Sequence, residues 1–286
     1  MTSETPIADR IAKNLTKQRL LSGQKLPVPD APRVLVVANQ KGGVGKTTTT
    51  VNLATAFARM GMRVLVIDAD PQGNASTALS IPHTVGTPDT YQVLMGECTI
   101  EQAIQASPEH PNLKVLPATI DLSGAEIELV TQVAREARLR RAIDTYLANN
   151  PTDYILIDCP PSLGLLTLNA CVAATEVVMP IQAEYYALEG LSQLTQSIDG
   201  ITRAFNPRLH LSAILLTMFD ARTLLSSEVH EEVKKHFPDA VLETVIPRSV
   251  KLAEAPSFNT TIFSHDPAGV GAISYMEAAL EIGRRM

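Results

Sequence analysis

From Arg33 onward, short apolar runs alternate with longer stretches of helical period. The runs are Val34–Ala38, Val64–Ile67, Leu113–Leu116, Tyr154–Ile157, Val177–Ile181, Leu211–Leu216 and Val241–Ile246. They are mostly continuous, without the polar residue at every second place that a strand with one wet face carries. Such strands are buried on both faces, and helices between them supply the cover. The pattern predicts an α/β fold: a single doubly wound, mostly parallel sheet with helices on both faces. Ligands are expected at the carboxyl ends of its strands.

Residues 1–32 stand apart from this pattern as an N-terminal extension to a domain spanning residues 33–286. Ile7 to Leu21 has the spacing of an amphipathic helix, with Ile7, Ile11, Leu15 and Leu20 on one side. Pro27-Val28-Pro29-Asp30-Ala31-Pro32 then forms a stiff, extended linker that no helix or central strand tolerates. A disordered tail and a docking helix fit that sequence equally well.

Composition narrows the function classes. With 45% hydrophobic and 19% charged residues the chain reads as an ordinary soluble globular protein. A net charge of -6 does not advertise a polyanion partner, so nucleic acid would need a local basic face. Aromatics at 4%, with no Trp, argue against a base-stacking surface. Cys98, Cys159 and Cys171 are too few and too scattered for a disulfide framework or a zinc site; Cys159 and Cys171 read as core residues. No apolar run is long enough to span a membrane and the N-terminus is polar, so the cytoplasm is expected.

The chemistry starts where Val34–Ala38 runs into Asn39-Gln40-Lys41-Gly42-Gly43-Val44-Gly45-Lys46-Thr47-Thr48. A strand, a glycine-rich turn and a helix make a phosphate cradle: glycines let backbone N–H groups approach the oxygens, and the helix N-terminus adds partial positive charge. Lys46 is placed for the β- and γ-phosphates, Thr47 for Mg²⁺ and Thr48 for the α-phosphate. The pattern departs from GxxxxGK[ST] at Gln40, and Lys41 adds a second lysine close to Lys46. Two cations this close repel each other, so Lys41 is either a solvated surface lysine or one that reaches a nucleotide on another subunit. The absence of GxGxxG argues against a nicotinamide or flavin enzyme.

Two further strands end in acids. Val64–Ile67 delivers Asp68 and Asp70 in Asp-Ala-Asp-Pro-Gln-Gly, and Tyr154–Ile157 delivers Asp158 in Asp-Cys-Pro-Pro-Ser. Beside a phosphate loop, carboxylates at strand tips can hold Mg²⁺ through water.

In combination, Lys-Gly-Gly-Val-Gly-Lys-Thr-Thr, Asp-Ala-Asp-Pro-Gln-Gly-Asn and Ile-Asp-Cys-Pro-Pro-Ser resemble the deviant Walker A P-loop ATPases, specifically the ParA family that partitions chromosomes and plasmids. The likeness extends through Pro180–Gly190, Thr217–Thr223 and Ile246–Ser257, in the manner of chromosomal, Soj-like members. The resemblance implies a P-loop fold, ATP and Mg²⁺ as ligands, and ATP hydrolysis. It implies that Lys41 crosses to a partner's phosphates in a homodimer, that Asp70 positions the attacking water, and that Asp68 and Asp158 lie in the Mg²⁺ shell. Met218, Pro247 and Arg248 match positions around the adenine. Arg222 and Lys251, expected in loops after consecutive strands, match positions that bind double-stranded DNA without regard to sequence. A centromere-binding, ParB-like partner, association with the nucleoid and no membrane contact complete the implied picture.

Two other readings share the fold. A MinD-like positioning ATPase needs a C-terminal amphipathic helix with bulky apolar residues, and Ala278–Met286 offers little of one. A metabolic ligase or reductase would need a substrate pocket or cluster cysteines; Cys159 and Cys171 suit no cluster.

Overall fold

A computed structural model describes residues 6–184 and 187–285. Its sheet contains β1 (Arg33–Val37), β2 (Val64–Asp68), β3 (Gln105–Ala106), β4 (Leu113–Leu116), β5 (Tyr154–Asp158), β6 (Glu176–Gln182) and β7 (His210–Thr217). Their order is β3-β4-β2-β5-β1-β6-β7, parallel throughout except for the two-residue β3. The central strands carry β-branched and leucine side chains to both faces, as the continuous runs predicted. Val34, Val36, Ile155 and Ile157 face one core, while Leu35, Val37 and Leu156 face the other.

Helices cover both. In chain order they are α1 (Pro6–Ser22), α2 (Lys46–Arg59), α3 (Asn74–Ala78), α4 (Thr90–Met95), α5 (Ile100–Ala103), α6 (Leu122–Glu128), α7 (Arg138–Asn149), α8 (Leu165–Ala173), α9 (Ala187–Ala204), α10 (Leu224–His236), α11 (Val250–Glu254), α12 (Ile262–His265) and α13 (Val270–Arg284). Phe57 of α2 and Tyr275 of α13 fill one core; Ile143 of α7, Leu166 of α8 and Leu194 of α9 fill the other. α2 stops at Gly61, whose φ of +95° is a conformation glycine takes without strain.

The run Val241–Ile246 does not form the seventh parallel strand that its composition predicted. It meets β7 at the Ile214–Val241 bridge and again at Ile246, whose amide donates to Leu216 O at 2.8 Å, and it meets the residues after β7 at the Phe219–Pro247 bridge. Between them the chain bulges away, and the freed amides of Glu243 and Thr244 donate to the Glu281 carboxylate at 2.8 and 3.0 Å. A side chain from α13 has replaced the ladder, which periodicity cannot foresee.

The extension also differs from its expected pattern. α1 lies on α13, with Lys17 paired to Glu277 at 2.7 Å and the Gln18 amide donating to the Pro267 carbonyl. Leu15 and Leu20 are exposed, while Leu21 packs against the core and Leu26 is buried. Ile7 and Ile11 lie outside the residues whose side chains are described, as do Tyr185 and Tyr186.

Candidate active site

Adjacent strands bring the predicted residues to one edge. Register pairs Val37 with Asp158 and Asp68 with Asp158, so three strand tips stand side by side. From β1 the chain turns through Asn39, whose side-chain oxygen accepts from the Lys41 amide at 3.0 Å and whose side-chain amide donates to Pro180 O at 2.8 Å. Gly43 and Gly45 adopt φ of +75° and +88°, which curl the loop around its own amides. A Cβ on Gly42 or Gly43 would meet nothing within 4 Å, so that side of the loop is open. Behind the loop, the Thr217 hydroxyl donates to Val44 O at 2.8 Å and fixes it to the end of β7.

The two lysines behave differently. Lys46 is buried and donates to Lys41 O at 3.1 Å, inside the cradle. Burial lowers its pKa, and the charges of Asp158 and Asp70 oppose that shift. Lys41 points outward and pairs with Glu184 at 2.7 Å; both side chains are about half exposed.

The acids are held by hydroxyls. Asp158 accepts from Thr47 at 2.7 Å and from Thr50 at 2.9 Å. Asp68 accepts from the amide and hydroxyl of Ser76 at 2.8 and 2.7 Å, and from the Asp70 amide at 3.2 Å. Burial pushes both carboxyls above the usual range, and for Asp158 the charge of Asp68 pushes further. Asp70 is nearly buried, and its side chain accepts from the Gln72 amide at 3.0 Å.

This arrangement fits a magnesium nucleotide. Open amides, a buried ammonium and a helix N-terminus suit phosphates. Paired buried carboxylates beside a threonine hydroxyl call for a cation. Among the described residues no three His, Cys, Asp or Glu side chains form a self-sufficient metal site. Magnesium needs only one or two protein ligands when phosphates and water complete its shell.

Met218, Pro247 and Arg248 also come together. Met218 follows β7 with φ +52°, Phe219 bridges Pro247, and the Arg248 amide donates to Phe219 O at 3.0 Å. Arg222 is exposed and pairs with Asp220 at 2.7 Å, which holds the Asp220 carboxyl down at about 2. Lys251 pairs with Glu254 at 3.1 Å and sits on the short helix α11, not in the loop that a strand at 241–246 would have led to.

A family model for an AAA domain matches residues 32–211. The chain is 50% identical over 250 residues to the chromosome partitioning protein ParA of Caulobacter vibrioides, covering 87% of this chain and 93% of that one. It is likewise 50% identical over 250 residues to the sporulation initiation inhibitor protein Soj of Bacillus subtilis, covering 87% and 98%. The chain belongs to the ParA family of chromosome-partitioning ATPases. A solved structure described as cobyrinic acid a,c-diamide synthase from Mycobacterium smegmatis, with bound ADP and magnesium, is similar with a TM-score of 0.74 and 37% identity, covering 87% and 93%.

In this ParA-family chain, sequence reasoning missed Thr50, Ser76, Thr217 and Glu184. Thr50 carried a signal, since it lies one helical turn beyond Thr47. The other three meet the site only through the fold. Cys159 and Cys171 are buried core residues as expected, and burial pushes the Cys171 thiol up to about 12.

Proposed function

We propose that this chain is the ATP-driven switch of a chromosome or plasmid partitioning system, with ATP and Mg²⁺ as its ligands. Gly42, Gly43, Val44 and Gly45 cradle phosphate oxygens through their amides. Lys46 balances the β- and γ-phosphates, and Thr48 holds the α-phosphate. Thr47 would ligate Mg²⁺, with Asp158 and Asp68 in the shell around it, and the metal would supply positive charge against the phosphates. Met218, Pro247 and Arg248 flank the adenine, and Asp70 orients the attacking water.

One observation carries the switch: Lys46 alone occupies the interior of the cradle, while Lys41 reaches outward to Glu184. An exposed ion pair contributes roughly 0–1 kcal/mol, so Lys41 can exchange Glu184 for a partner protomer's phosphates at little cost. Closure of a homodimer then depends on the γ-phosphate. The closed dimer presents Arg222 and Lys251 twice to double-stranded DNA, without reading bases. A ParB-like partner stimulates hydrolysis, the dimer opens and DNA is released from the nucleoid-bound state. The apolar residues of α13, among them Ala279, Leu280 and Ile282, are buried in the core and are not free to enter a bilayer as a MinD-like reading requires. No helix among the described residues is long and apolar enough to cross a membrane.

The test is a DNA-binding titration with ATP, with ADP and without nucleotide, at two salt concentrations. Tight, salt-sensitive binding with ATP alone is expected; binding that ignores nucleotide rules the switch out.

A further inference from the structure

A histidine outside the sequence motifs, His83, lies beside the loop that carries Asp70. The Gly73 amide donates to Asp70 O at 2.9 Å, closing a turn over Asp70–Gly73, and Gly73 has φ +63°. A Cβ on Gly73 would lie 2.9 Å from His83 Cδ2 and 3.0 Å from Ala118 O. The turn is therefore wedged between an imidazole edge and the chain that leaves β4.

The ring itself is oriented from both sides. His83 Nδ1 lies 2.7 Å from Ile81 O, which can only accept, so Nδ1 carries the hydrogen. Nε2 shares a hydrogen bond with the Thr77 hydroxyl at 3.3 Å. The Thr77 amide donates to Gly73 O at 2.9 Å, which returns the connection to the wedged turn. His83 also lines an open cleft with Pro71, Thr84 and Ile120. Water can fill the space left by a truncated side chain there, so the fold tolerates its loss.

We infer that His83 is a positioning residue for ATP hydrolysis: by pinning Gly73 against Ala118, it sets where the Asp70 carboxylate stands. The inference rests on the role proposed for Asp70. Misplacing a catalytic group by about 1 Å costs up to about a hundredfold in rate without touching the nucleotide's binding groups elsewhere.

The experiment compares wild type with His83→Ala, His83→Gln and Asp70→Ala in the full chain. It reads ATP turnover, affinity for a fluorescent ATP analogue with Mg²⁺, and thermal midpoint. Expected for His83→Ala is a turnover loss of about tenfold or more with affinity and midpoint little changed. His83→Gln, whose amide can still meet Thr77, should recover at least half of that turnover. Turnover within about twofold of wild type in His83→Ala, beside an inactive Asp70→Ala, overturns the inference alone. So does a joint fall of rate, affinity and midpoint without rescue by Gln, which marks a merely structural residue. Normal turnover in Asp70→Ala removes the reading beneath it.

Discussion

The Thr47 hydroxyl donates to Asp158 across 2.7 Å, joining the first turn of the phosphate-loop helix to the tip of a strand 111 residues away. Asp158 is fully buried beside Asp68, its neighbour in register. Without a cation the two carboxylates oppose each other, and Asp158→Asn relieves that repulsion. The folded-state pKa of Asp158 is raised, so the folded protein binds more protons and loses stability as pH rises through and beyond the carboxylate range. Asp158→Asn should raise the metal-free thermal midpoint by a few degrees, roughly 2–4 °C per kcal/mol relieved, and flatten that pH slope. The same change should weaken Mg²⁺-dependent nucleotide binding by about 10–100-fold, read by titration with and without Mg²⁺.

Lys41 leaves an exposed pair with Glu184 to act elsewhere. Lys41→Ala should bind nucleotide within about threefold of wild type yet stay monomeric with ATP, as light scattering will show. Persistent dimers would return Lys41 to an ordinary surface lysine.

Asp70 touches the Gln72 amide and lies near the cradle without bonding it. Asp70→Ala should retain ATP affinity and lose turnover by about a hundredfold or more, leaving a dimer locked on DNA. Measured turnover near the wild-type rate contradicts its role.

Arg222 and Lys251 each carry an acidic neighbour, Asp220 and Glu254. Replacing both cations with Ala should weaken ATP-dependent DNA binding and lower the salt slope by about one for each phosphate no longer neutralised. Asp220→Asn should act oppositely, since it frees Arg222. A salt slope unmoved by any of these changes places the DNA surface elsewhere.

Glu109 clamps the segment that follows α11. Its carboxylate accepts from the Thr260 hydroxyl at 2.6 Å, from the amide and hydroxyl of Thr261 at 3.1 and 2.7 Å, and from Ser264 at 2.8 Å. Burial alone would raise its pKa, but these donors outweigh burial and hold it below the ordinary glutamate value. Its stabilising contribution is therefore complete above about pH 4.3 and is lost as pH falls through the lower folded-state value. Glu109→Ala should cost about 2 kcal/mol near neutral pH and remove part of the acid-side decline, both visible in thermal midpoints from neutral to acidic pH.

Much of this was legible in the chain itself. Continuous apolar runs foretold the central strands, because burial on both faces leaves no place for polar side chains. The glycines and Lys46-Thr47 announced the cradle, since its geometry is local to one turn. Val241–Ile246 misled for the same reason: its composition suits a strand, but Glu281 competes for its amides.

The sequence by itself determined the central strands, the phosphate loop and the acids at strand ends, because each depends on neighbours within a turn or a strand. Tertiary structure decided which strand tips meet, that Ser76 engages Asp68, that Glu184 receives Lys41 and that His83 fills the space beside Gly73. Periodicity records how deeply a residue is buried. It does not record which distant residue is buried beside it, and strand order and register supply that.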